Sequence, residues 1–203
     1  MEEISMKTTI LTALVAVSLV AALPVQAQSK AAGGGTSYLA GHLGAGFPNN
    51  GQGTNLMFGG AFGFFWTSEY SGAVFIDHMN VGSISSSLLT LNQSSQGITL
   101  FGVEANRELS DLVEGLQVGI KVGLTSTSVT ATAPGVFTDS QSNMNFFIGP
   151  KVAYDYPVVG NLRIGGEGNF LFKSTSDEPI TGFATVNGTG TMFNLLGVVK
   201  YLF

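Results

Sequence analysis

The sequence predicts an all-β fold, an eight-stranded antiparallel up-and-down transmembrane β-barrel. Three observations carry that prediction. Apolar residues alternate with small or polar ones over stretches of about ten to twelve residues, the period of a strand rather than a helix. Charged residues make up only 10% of the 203-residue chain while 44% are hydrophobic, and the mean hydropathy is +0.33. An ordinary globular protein is about 25% charged, so this chain does not turn its whole surface to water. The connections between alternating stretches are short at one end and long and Ser/Thr/Asn/Gly-rich at the other.

Ahead of the strands, residues 1–27 read as a signal peptide and residues 28–203 as the barrel domain. Lys7 precedes an apolar run of 14 residues, 10–23, followed by Pro24 and a cleavage pattern with Val25 and Ala27 at its small positions. The run suits an export signal and falls short of the about 20 residues a spanning helix needs. Acidic residues before Met6 are unusual in such a peptide, which favours Met6 over Met1 as the start. The exported chain would carry a net charge of −4, with 7 basic and 11 acidic residues. It offers no basic patch for nucleic acid. With 0 cysteines there is no thiolate chemistry, thiolate zinc site or disulfide.

The expected strands are 38–47, 55–66, 72–82, 97–106, 116–125, 144–155, 162–173 and 192–203. In the second, Leu56, Phe58, Gly60, Phe62, Phe64 and Trp66 share one face. In the fifth, Leu116, Val118, Ile120, Val122 and Leu124 oppose Gln117, Gly119, Lys121 and Gly123. In the seventh, Leu162, Ile164, Phe170 and Phe172 oppose Arg163, Glu167 and Asn169. Ten residues at about 3.3 Å each, tilted by about 40°, rise about 25 Å, the apolar height of a membrane barrel. Ordinary strands are about half as long. The short connections are "TSEYS", "RELSDLVEG" and "YPVVGN"; the long ones include "SISSSLLTLNQSSQ" and "STSVTATAPGVFTDSQSN". All five tyrosines (Tyr38, Tyr70, Tyr154, Tyr156, Tyr201) and the sole tryptophan, Trp66, fall near short-turn ends, where an interfacial girdle belongs. Phe47, Phe146, Phe172 and Phe193 fall at the other end.

An exported chain of eight alternating strands ending "FNLLGVVKYLF" resembles the small outer-membrane β-barrels of Gram-negative bacteria, the OmpA/OmpX-type group. In that group a last strand ending in Phe, with apolar residues at alternate positions, is a signal for the barrel-assembly machinery. Phe203, Tyr201, Val199, Leu195 and Phe193 match it, with Gly197 the small exception. The resemblance implies location in the cell outer membrane among its lipid and lipopolysaccharide. No cell-wall-binding domain follows the barrel in this sequence, which weakens an anchoring role.

Eight strands leave an interior just wide enough for side chains to fill. Strand parity turns His42, Asp77, Glu104, Lys121, Lys151, Arg163, Glu167, Asn194 and Lys200 inward, three carboxylates against four cations. A plug of ion pairs is the expected use of such a set, and an ion-conducting path the sharper alternative. His78 follows Asp77, so it faces outward if Asp77 faces inward. Neither His42 nor His78 sits in a His-x-Ser or Gly-x-Ser-x-Gly pattern. Catalytic, cofactor-binding and metal sites are therefore expected to be none. "GGEG" and "GAGF" lack the βαβ setting of a nucleotide loop. Apolar residues in the long loops (Leu88, Leu89, Leu91, Val136, Phe137, Phe183, Val186) either pack between loops or form a rim for a host or partner protein. The expectation is a non-enzymatic barrel with a structural or surface-interaction role. Passive passage of small or hydrophobic solutes is the alternative, and lipid A modification or a soluble β-sandwich stands further behind.

Overall fold

The computed structural model describes residues 35–48, 54–81, 93–133, 137–174, 178–180, 184–186 and 190–203. The proposed signal peptide lies outside the described residues, as do Leu88, Leu89, Leu91, Val136 and Phe183 and the side chains of Phe137 and Val186. The strands are β1 (Ser37–Pro48), β2 (Asn55–Phe65), β3 (Tyr70–Val81), β4 (Gln93–Glu108), β5 (Leu116–Ala133), β6 (Phe137–Val159), β7 (Leu162–Lys173), β8 (Glu178–Ile180), β9 (Ala184–Val186) and β10 (Thr191–Leu202). Eight of them pair antiparallel in the order β1-β10-β7-β6-β5-β4-β3-β2 and close a barrel, while β8 and β9 make a separate hairpin. β10 returns beside β1, with Tyr38 opposite Leu202 and Phe47 opposite Phe193. Ser37 and Phe203 then exchange backbone hydrogen bonds of 3.0 and 2.9 Å. Closure leaves no open edge in the membrane wall, which a bilayer requires.

Three strands exceed their expected lengths by six residues or more. β4, β5 and β6 have 16, 18 and 23 residues, and their pairing runs out to Gln93–Thr132 and Ala133–Phe137. Much of "STSVTATAPGVFTDSQSN", expected as loop, is therefore strand. Thr and Val are β-branched and hold an extended backbone whether or not lipid lies beside it. At the opposite end the connections are tight: between β6 and β7 only Gly160 and Asn161 intervene, and Gly160 has a φ of 54°, the left-handed region that glycine enters freely.

Alternation sorts the side chains as lipid and lumen demand. Leu56, Phe58, Phe62, Phe64 and Trp66 all point outward and are exposed, as are Val118, Ile120 and Leu124. Tyr201 and Phe203 point outward and Lys200 inward. One aromatic residue departs from the expected girdle. Tyr38 is 1% exposed and lies inside the barrel against Phe65, with ring centroids 5.4 Å apart. Its even number puts it on the face shared by Ala40 and His42, and Gly63 makes room for it: a Cβ there would run into the Tyr38 ring.

Candidate functional site: the filled lumen

All nine residues expected to face inward do so, none more than 6% exposed. Six of them meet in one cluster. Lys121 on β5 sits 2.5 Å from Glu167 Oε1, 3.6 Å from Glu104 Oε2 and 3.7 Å from Asp77 Oδ2. Phe75 lies under it, 4.4 Å from ammonium to ring centroid. Lys151 on β6 bridges the same two glutamates, 2.7 Å from Glu104 Oε1 and 3.0 Å from Glu167 Oε2. His42 on β1 pairs through Nδ1 with Asp77 Oδ1 at 2.7 Å. Amides complete the shell: Asn106 donates to Glu104 at 3.1 Å, Asn169 to Glu167 at 2.9 Å, and Asn194 to Asn169 at 2.7 Å. Gly59 leaves space for the Asp77 carboxylate, since a Cβ there would collide with it. Removed from water, such charges persist because each faces an opposite charge, and the two glutamates accept further hydrogen bonds.

Lys200 belongs to a second group nearer the short turns. It contacts Asp155, to which Gln117 donates at 3.1 Å, and lies 4.7 Å from the Tyr38 ring centroid. Arg163 stands apart, making no ion pair among the described residues. Asp155 corrects the expected charge balance. With Asp77, Glu104 and Glu167 it makes four buried carboxylates among the described residues, matching the buried Lys121, Lys151, Arg163 and Lys200. Its position between Tyr154 and Tyr156 suggests an interfacial residue, yet it shares the odd parity of Lys151 and Ala153. That parity was the available signal.

Between the charge cluster and the long-loop end lies an apolar layer that alternation does not suggest. Met57, Met79, Leu100, Phe147, Leu171 and Met192 are inward and nearly or wholly inaccessible. Its trace in the sequence is the failure of alternation in "NFFI" and "NFLF", where both faces are apolar. On the short-turn side of the cluster, a cavity of about 10 Å³ touches Tyr38, Glu104, Asp155 and Lys200, room for about one water molecule.

The second histidine lies on the other surface. His78 faces outward near the long-loop end, with Nδ1 2.9 Å from Thr99 Oγ1 and Nε2 3.0 Å from Asn80 Oδ1. The Phe58 ring is 5.5 Å away, centroid to centroid.

Solved structures share this architecture. Ail, the attachment invasion locus protein of Yersinia pestis, superposes with a TM-score of 0.54 at 10% identity, over 84% of this chain and 99% of that one. The fold is that of the small outer-membrane β-barrels. A major outer membrane protein from Thermus thermophilus gives a TM-score of 0.50 at 12% identity, over 82% of this chain and 99% of that one. Neisserial surface protein A gives 0.50 at 11% identity, over 82% and 95%. No protein-family model matches the sequence, and no curated protein is significantly similar to it. Within this outer-membrane barrel fold, the described lumen is filled by ion-paired and apolar side chains.

Proposed function

We propose that this chain is an integral outer-membrane protein, exported with loss of residues 1–27, whose role is structural or adhesive and is exercised above the membrane. The lumen supports this reading: among the described residues, a charge cluster lies beneath a layer of Met, Leu and Phe, and both are almost wholly inaccessible. A barrel with a filled lumen would have its working surface outside, and β5 and β6 extend well past the length a bilayer needs. The outward row Phe193, Leu195, Val199, Tyr201 and Phe203 supports capture of the last strand by the barrel-assembly machinery during insertion. By the usual orientation of such barrels, short turns face the periplasm and the β5–β6 hairpin the exterior.

Two measurements test this. Folded barrel should migrate faster than boiled protein on gels and fractionate with outer membranes. Purified barrel in planar bilayers should give no reproducible conductance, and a steady single-channel current would overturn the plugged lumen.

A further inference from the structure

We propose that the outer surface of β2, β3 and β4, at the short-turn rim, carries a binding site for the phosphate diester of a membrane phospholipid, formed by Arg107 with Tyr70 and Trp66. The proposal rests on the outer-membrane reading above. Among the described residues, the outward-facing strand positions hold only two basic side chains, His78 and Arg107. Arg107 is the one that presents a planar fork of N–H donors. It lies at the level where aromatic residues meet the headgroup region, next to the turns.

Arg107 stands directly across the ladder from Tyr70, its guanidinium carbon 5.7 Å from the Tyr70 ring centroid. The ring supports the guanidinium from one side at cation–π distance, and a guanidinium carries five N–H donors, more than one ring can occupy. Glu108 is next in sequence and Glu69 adjoins the paired Tyr70, yet Arg107 makes no ion pair among the described residues. A planar fork of donors without a carboxylate matches two oxygens of a phosphate.

The surroundings fit the rest of a lipid. Trp66 is 58% exposed, and its indole lies over Gly72, where a Cβ would come within 2.8 Å of the ring. Gly72 pairs with Ala105, which makes a shallow floor beneath the aromatic rim. One row deeper on the same face, Val74 pairs with Val103, both exposed, an apolar track for an acyl chain. The turn is held in place: Trp66 donates its backbone N–H to Tyr70 O at 2.9 Å, and Thr67 Oγ1 accepts from Glu69 and Tyr70 N–H at 3.2 and 3.1 Å. The seat is preorganised before any lipid arrives.

Trp66 is the only tryptophan in the chain, so its fluorescence reports on this site alone. Folded barrel in nonionic micelles is titrated with phosphatidylethanolamine brominated on its acyl chains, which quenches nearby indole. Wild type should show saturable quenching, and Arg107→Gln should need about fivefold or more lipid for the same effect, with Arg107→Lys between them. Equal titrations for wild type and Arg107→Gln would overturn the proposal. Reversal of quenching by millimolar inorganic phosphate alone would assign the site to free phosphate and overturn the lipid assignment. Heat-shifted gel migration confirms that each variant is folded, and Tyr70→Leu, which removes the ring beneath the guanidinium, gives a second, milder loss. Outer-membrane fractionation is scored separately. A chain that fractionates correctly but titrates identically defeats this site only, whereas a chain that never enters the membrane defeats the earlier reading.

Discussion

Lys121 holds its ammonium among Glu167, Glu104 and Asp77, with 1% of its surface exposed. Replacing it by Met leaves Asp77, Glu104 and Glu167 without their shared cation, and only Lys151 still bridges the two glutamates. Breaking a buried ion pair on one side costs about 3–5 kcal/mol, so Lys121→Met should lose that much unfolding free energy in a urea melt of the micellar barrel. Adding Glu167→Gln to Lys121→Met should recover part of the loss. A melt unchanged by Lys121→Met would mean the cluster contributes nothing to stability. Gly63 makes a steric counterpart. A Val side chain there must displace the Tyr38 ring, and overpacking of this kind costs about 1–3 kcal/mol, measurable in the same melt. Tyr38 also marks a limit of reading composition. Its position near a short turn matches Tyr201, but its parity is that of the lumen, and parity decides.

At the scale of elements, the outer part of the β5–β6 hairpin adds length without adding membrane wall. Replacing residues 130–140 with a short turn should keep the heat-shifted migration of the barrel and change its unfolding free energy by less than about 1 kcal/mol. Any adhesion of expressing cells to a host surface should fall with it. Loss of folding on that deletion would show that the extension is part of the barrel's core. This hairpin also explains where the sequence was legible and where it was not. β2 and β7 were readable because one face meets lipid and the other a crowded lumen, so Phe62 and Gly63, or Phe170 and Glu167, contrast sharply. Near the outer rim both faces carry hydroxyls, so Thr127 and Ser128 look alike although Thr127 is buried inside the barrel and Ser128 exposed outside it on a continuing strand. In the apolar layer the contrast fails the other way, because Phe146 and Phe147 are both apolar while one meets lipid and the other the lumen. The charged lumen residues were legible almost completely, since lipid tolerates none of them. Their partners required coordinates, because parity says which face a side chain takes and not which neighbour it meets.

For the whole molecule, the central cluster draws on six strands: His42 from β1, Asp77 from β3, Glu104 from β4, Lys121 from β5, Lys151 from β6 and Glu167 from β7. The Lys121–Glu167 contact skips a strand, since β6 lies between β5 and β7. A lone hairpin laid into hydrocarbon would expose at least one of these charges, at a cost of about 2–4 kcal/mol for a mid-bilayer lysine, besides its unpaired backbone edge. Piecewise insertion is therefore unfavourable at every intermediate strand count. The chain must bring β1 to β10 while still sheltered from lipid, so its assembly is all-or-none. Urea unfolding should show one transition, with Trp66 fluorescence and far-UV circular dichroism changing at the same midpoint.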